Sequence, residues 1–158
     1  MKLLCDEMLK GLARWLRTSG YDVAMEPDGM PDRSLIERAL VEQRVLLTRD
    51  RPMLSIRGAN QVAVLLESNG LEACAREITR KLDINWLLDP FSRCSRCNTP
   101  LIETERPAAF PPDIDKAYVC PCCDKYYWQG GHVARMRLHL ENWQEEFRQN
   151  QAQRNCLP

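Results

Sequence analysis

Apolar and polar positions along the chain switch between two periods, and the switches mark the elements. Residues 2–5 (KLLC) form a short apolar run closed by Asp6, after which Leu9, Leu12, Ala13 and Leu16 follow at helical spacing until Gly20. That pattern predicts a strand and then a helix. Residues 21–25 alternate weakly, Pro27, Asp28, Gly29 and Pro31 mark a loop, and Leu35, Ile36, Ala39 and Leu40 repeat the helical stripe. Residues 44–48 (RVLLT) form an apolar strand ending at Arg49-Asp50, residues 61–66 (QVAVLL) a second, and residues 71–82 a further helix. The order β-α-β-α-β-β-α predicts an α/β fold with a mostly parallel sheet and helices on both faces.

After Asp89-Pro90 the texture changes. Residues 91–131 are rich in Cys, Pro and polar residues and poor in aliphatic ones, so a metal must replace the missing burial. Beyond His132, the positions Val133, Met136, Leu140, Trp143 and Phe147 step by three and four, the mark of an amphipathic helix whose stripe packs within the molecule. The expected organisation is a main domain over 1–90, a ribbon over 91–132, a helix over 133–150 and a flexible tail over 151–158. No solenoid or propeller period is present.

Composition narrows the picture. A chain of 158 residues, 44% hydrophobic and 28% charged, has room for one core and a small appendage. Twenty-two Lys plus Arg balance 22 Asp plus Glu, so any nucleic-acid binding must come from a local patch. The charged N-terminus offers no membrane span or signal core, which points to a cytoplasmic protein. In that setting eight cysteines, four of them in two C-x-x-C pairs, point to metal rather than disulfides.

Cys94-Ser-Arg-Cys97 and Cys120-Pro-Cys-Cys123 are separated by 22 residues. Two such turns present four thiolates to one zinc, a closed tetrahedral site that is structural rather than catalytic. Asn98 and Asp124 each follow a pair at a position that favours positive φ. Cys122 is then a spare thiol, and Cys5, Cys74 and Cys156 have no activating base in view.

A second constellation is acidic. Asp6 closes the first strand and Asp50 follows the RVLLT strand, and carboxyl ends of strands in an open α/β sheet converge on one crevice. Asp32, or with less support Asp28, can reach the same place from the loop before the second helix. Such a set suits Mg2+ or Mn2+, which take oxygen ligands. The competing explanation is helix capping, by Asp6 for the first helix and by Asp32 for the second, although Ser34-Leu-Ile-Glu37 offers a capping box that frees Asp32. Asp22 and Glu7 read as solvated surface.

The segments CDEMLKGLARWLRTSGYD, RVLLTRD, CSRCNTPL and CPCCDKYYWQGGH, in this order, resemble the Mut-seven C-terminal RNase domain family over roughly residues 1–139. The resemblance implies a PIN-like three-layer α/β/α fold with a zinc ribbon, Asp6, Asp32 and Asp50 as catalytic ligands of Mg2+ or Mn2+, and hydrolysis of RNA phosphodiester bonds. Thr48 would orient a carboxylate or the water, and Glu67 is the nearest fourth acid. Asp124 stands where the family has glycine, and Cys122 is an added thiol.

Lys10, Arg14 and Arg17 recur on one helical face beside Asp6, and Arg49 flanks Asp50, a basic rim suited to phosphate. Tyr126, Tyr127 and Trp128 could stack on bases of single-stranded RNA but are expected to pack the ribbon instead. His132 is assigned a hydrogen bond or phosphate contact. The alternatives to a metal-dependent ribonuclease are a non-catalytic RNA-binding or adaptor module with a degenerate site, and a thiol redox protein.

Overall fold

The computed structural model describes residues 1–108, 110, 114 and 116–155. Four parallel strands form the central sheet: β1 (Lys2–Cys5), β2 (Asp22–Met25), β3 (Val45–Thr48) and β4 (Ala63–Leu65), in the order β2-β1-β3-β4. The connecting helices α1 (Lys10–Thr18), α2 (Asp32–Glu42), α3 (Ala59–Val62) and α4 (Leu71–Leu82) cover both faces, so the main unit is a three-layer α/β/α sandwich. Period-two alternation in β1 explains the division of the core. Leu3 and Cys5 join Leu12, Leu16 and Ile78 on the α1/α4 side, while Leu4 joins Leu35, Ile36 and Ala39 on the α2/α3 side.

The sequence stripes match the buried faces with two differences. Leu40, predicted in the stripe of α2, is exposed. The run QVAVLL is not one strand: Ala59–Val62 is helical and only Ala63–Leu65 joins the sheet. Parallel strands cannot be joined by a tight turn, so the chain must leave β3, cross the sheet face and return. It does so through a 3-10 turn (Pro52–Ser55) and α3, whose entry is Gly58 at φ +91°.

The chain then enters the ribbon over the end of α1. Asp89 N–H donates to Ser19 O (3.0 Å) and Phe91 N–H to Thr18 O (2.7 Å). Gly20, at φ +100°, allows this approach, since a Cβ there would lie 2.5 Å from Asp89 O. Three short antiparallel strands, β5 (Ile102–Thr104), β6 (Ala117–Val119) and β7 (Tyr126–Trp128), follow in the order β5-β6-β7.

The last helix, α5 (Gly131–Asn155), extends past the predicted end into residues assigned to a tail, while 156–158, with Cys156, lie outside the described residues. Its stripe packs inward as expected. Leu140 and Trp143 are buried, and the Trp143 ring lies 4.5 Å from that of Trp86 and 5.2 Å from that of Trp15. Trp86 is fully buried with its polar atoms satisfied, Nε1–H donating to Thr79 Oγ1 and N–H to Gln144 Oε1 (both 2.8 Å).

Candidate active site and metal centre

The strand order fixes where a site can form. From β1 the chain moves to β2 on one side and then to β3 on the other, so the crevice between the carboxyl ends of β1 and β3 is the topological switch point. Asp6 and Asp50 follow those two strands, and Asp32 opens α2. All three line one cleft of about 170 Å³ with Glu7 and Glu26.

Asp6 is buried and fixed through both oxygens: Oδ1 accepts Met8 N–H (3.0 Å) and Oδ2 accepts Arg49 N–H (3.2 Å). It therefore caps the 3-10 turn Glu7–Leu9 and faces the cleft as well. Asp32 sits in the first turn of α2, whose N-cap is Pro31, so Ser34 lies inside the helix and the capping box anticipated from Ser34 and Glu37 does not form. The carboxylates of Asp32 and Asp50 accept no hydrogen bond from the described residues. Burial, then the charges of Asp50 and Asp6, raise the Asp32 carboxyl above its ordinary value. A hard cation would relieve the repulsion that Asp32 meets, so the oxygen donors fit Mg2+ or Mn2+ in chemical type.

Other candidate residues take specific places around the cleft. Thr48 is buried and its Oγ1 accepts Asp50 N–H (2.9 Å), so it shapes the turn that carries Asp50. Glu67 pairs with Arg51 and does not line the cleft. Asp28 is exposed and pairs with Lys10 at 2.6 Å. Glu7 is exposed, in keeping with its reading as solvated surface, and its Oε2 accepts Gly29 N–H at 2.9 Å at the edge of the cleft. Glu26 was missed, although it follows β2 just as Asp6 follows β1, and it is ion-paired with Arg38.

A basic hollow of about 450 Å³ adjoins the cleft, with Glu26 lining both. Lys10, Arg14 and Arg96 line it, and the side chains of Arg14 and Arg96 pair with no described carboxylate. Arg17 also lines it but is 5% exposed, with Nε donating to Val23 O (2.8 Å) and Nη1 to Arg96 O (2.7 Å) and Ser95 O (3.3 Å). Its predicted place in the basic rim is thus taken by a structural task, tying the first cysteine turn to the sheet. Arg49 lines neither hollow, and its Nε is buried without a partner.

Cys94, Cys97, Cys120 and Cys123 bring their sulfurs within 4.8 Å of one another, and among the described residues they are the group of three or more potential ligands that close. Cys97 lies 3.3 Å from Cys120 and 3.9 Å from Cys123, and Cys94 lies 3.6 Å from Cys123. Tetrahedral Zn–S bonds of about 2.3 Å require sulfurs about 3.8 Å apart, so the cluster fits a structural zinc site. The two turns are built alike. Asn98 N–H donates to Cys94 O (2.9 Å) and Asp124 N–H to Cys120 O (3.0 Å), with Asn98 at φ 71° and Asp124 at φ 51° as the spacing predicted. Although burial opposes it, the Thr99 hydroxyl and backbone hold the Cys97 thiol down to about 6, toward the thiolate a metal needs.

Asn98 adds a task that the sequence did not reveal. Its Oδ1 accepts Val23 N–H (2.9 Å) and its Nδ2 donates to Asp22 Oδ1 (2.7 Å). Asp22, expected on the solvated surface, also pairs with Arg44 at 2.9 Å. Cys122 is exposed and outside the cluster, while Cys5 and Cys74 are buried thiols, each raised mainly by burial. His132 is exposed and lies outside the thiolate group.

Fold and site together define a parallel α/β domain with an acidic switch-point cleft and an appended four-cysteine centre. The chain belongs to the Mut7-C RNAse domain family, whose model matches residues 1–140. It is also similar to the Exonuclease mut-7 homolog of Homo sapiens, 34% identical over 101 residues that make up 61% of this chain and 12% of that protein. No solved structure matches it. The family is described as an RNAse domain, and among the described residues no helix is long and apolar enough to cross a membrane.

Proposed function

We propose that the chain is a PIN-like, metal-dependent ribonuclease that hydrolyses phosphodiester bonds of single-stranded RNA. The observation that carries this reading is the meeting of Asp6, Asp32 and Asp50 in one cleft at the switch point. These carboxylates would hold Mg2+ or Mn2+, which when bound supplies an activated water and offsets charge building on the phosphate. Asp6 is preorganised by its two backbone donors, and Thr48 fixes the turn that presents Asp50. Lys10, Arg14 and Arg96 offer phosphate contacts beside the cleft. Glu26 is the best-placed fourth acid, and zinc at the four cysteines holds the ribbon folded without taking part in the chemistry.

Cleavage of labelled single-stranded RNA by zinc-loaded protein with Mn2+, with Asp50→Asn beside it, tests this. The expected result is metal-dependent cleavage lost in the variant. Equal cleavage by both proteins would overturn the assignment. The non-catalytic RNA-binding reading draws on one observation: the three aspartates do not close to the mutual 4.8 Å reached by the cysteines. It requires a folded wild type that cuts nothing and binds RNA with strong salt dependence and indifference to Mn2+.

A further inference from the structure

Three hollows are linked in series by shared lining residues. The acidic cleft and the basic hollow share Glu26, and the basic hollow shares Arg14 with a third, a groove of about 570 Å³ between α1 and the ribbon. This groove is walled by rings: Trp15 from α1, Phe91 from the chain entering the ribbon, and Tyr126 and Trp128 from β7. Tyr126 and Trp128 lie two apart on a strand, hence on one face, and remain 40% and 37% exposed. The ring of Phe110 backs both of them, at 5.6 and 4.6 Å. Arg14 and Lys125 bring positive charge to the groove, and among the described residues no carboxylate lines it.

We propose that this groove receives the bases of single-stranded RNA remote from the acidic cleft, the backbone passing along Arg14 and Arg96 between the two. Exposed, braced rings accept any base by stacking, and cations that pair with no described carboxylate suit a polyanion. An apolar peptide or a second copy of the chain would use the rings but would gain nothing from the cationic side chains of the lining or from its shared residues with the basic hollow beside the acidic cleft. The placement of the cut rests on the ribonuclease reading, whereas the binding of RNA in the groove does not. Tyr126 and Trp128, expected only to pack the ribbon, thereby acquire a ligand.

The test is fluorescence anisotropy with labelled single-stranded RNA of about 12 nucleotides, and with one of about 4, on zinc-loaded protein carrying Asp50→Asn so that nothing is cut. Trp128→Ala and Arg14→Ala, added separately, are expected to weaken binding of the longer RNA about tenfold or more. Trp128→Phe restores most of it, and the shorter RNA does not respond to Trp128. Unchanged affinity for the longer RNA in Trp128→Ala with zinc retained would overturn the proposal, as would a wild type that binds no RNA. Loss of a dimer in Trp128→Ala without an effect on RNA would overturn it in favour of a second copy. Should Trp128→Ala lose its zinc, Lys125→Ala, exposed and lining the groove but neither other hollow, decides by the same criterion. Failure of the nuclease reading is seen separately, as absence of cleavage by wild type with Mn2+ while Trp128-dependent binding persists.

Discussion

Glu77 on α4 anchors the segment that leaves β4. Its carboxylate accepts Glu67 N–H (3.0 Å) and Ser68 N–H (2.8 Å) and pairs with Lys81 at 2.7 Å, with the Glu77 side chain 8% exposed. Burial alone would raise its pKa, but Lys81 and the two backbone donors outweigh that and hold it down at about 2, against an ordinary 4.5. A depression of that size corresponds to about 3 kcal/mol of stability that is present above pH 4.5 and lost as pH falls through about 2. Glu77→Gln keeps the shape and one acceptor oxygen but removes the charge. At neutral pH it is expected to lower the thermal midpoint by roughly 6–12 °C, at about 2–4 °C per kcal/mol for a chain of this size. Calorimetry of both proteins from pH 7 downward, with zinc content followed in parallel, should show the difference shrinking by more than half near pH 3, to about 1.4 kcal/mol. A difference that stays constant with pH would show that the carboxylate's charge is not what secures the loop.

Further outcomes follow from the same geometry. Asp6→Ala and Asp50→Ala should both abolish cleavage, but the first removes the acceptor for two backbone N–H groups and should cost about 1–3 kcal/mol, while the second should change stability by less than about 0.5 kcal/mol in a urea titration. The left-handed positions of the two cysteine turns should respond with opposite sign. Asp124→Gly relieves a positive φ and should be neutral or stabilising by up to about 1 kcal/mol, whereas Asn98→Gly also removes the bonds to Val23 and Asp22 and should destabilise by about 1–2 kcal/mol in thermal unfolding. Cys97→Ser should lower zinc content by elemental analysis, whereas Cys122→Ser should retain one zinc per chain, because the Cys122 thiol lies outside the group of four sulfurs.

Local signals carried much of the fold. Leu9, Leu12, Ala13 and Leu16 are all buried as their spacing predicted, and Asn98 and Asp124 both adopt positive φ. Asp6, Asp32 and Asp50 share a cleft because strand ends in a parallel sheet point to one edge, a rule that needs only strand order. Features set by tertiary partners were not legible. Nothing in the spacing of Lys10, Arg14 and Arg17 distinguishes the exposed Arg14 from Arg17, which is consumed by carbonyls 78 and 79 positions away. Likewise, the apolar run QVAVLL satisfies a helical turn and a strand equally, and the crossover needed to reach a parallel partner decides where one ends and the other begins. Glu26 follows β2 directly and so falls under the rule that finds Asp6, but the adjoining Pro27, Asp28 and Gly29 are loop signals that mask the strand end.

The clasp between the first cysteine turn and β2 has a consequence for solubility. β2 is an outer strand of the sheet, and the outward-facing amide and carbonyl of Val23 are occupied by Asn98 and Arg17 instead of being left open. An open strand margin is a template on which another chain can add, and proteins commonly shield it with a loop or a charge. Here the shield is a loop that carries Cys94 and Cys97, two of the four cysteines whose sulfurs suit zinc. Opening of the four-cysteine centre would thus do more than unfold the appendage: it would uncover a sheet margin on which another chain could add.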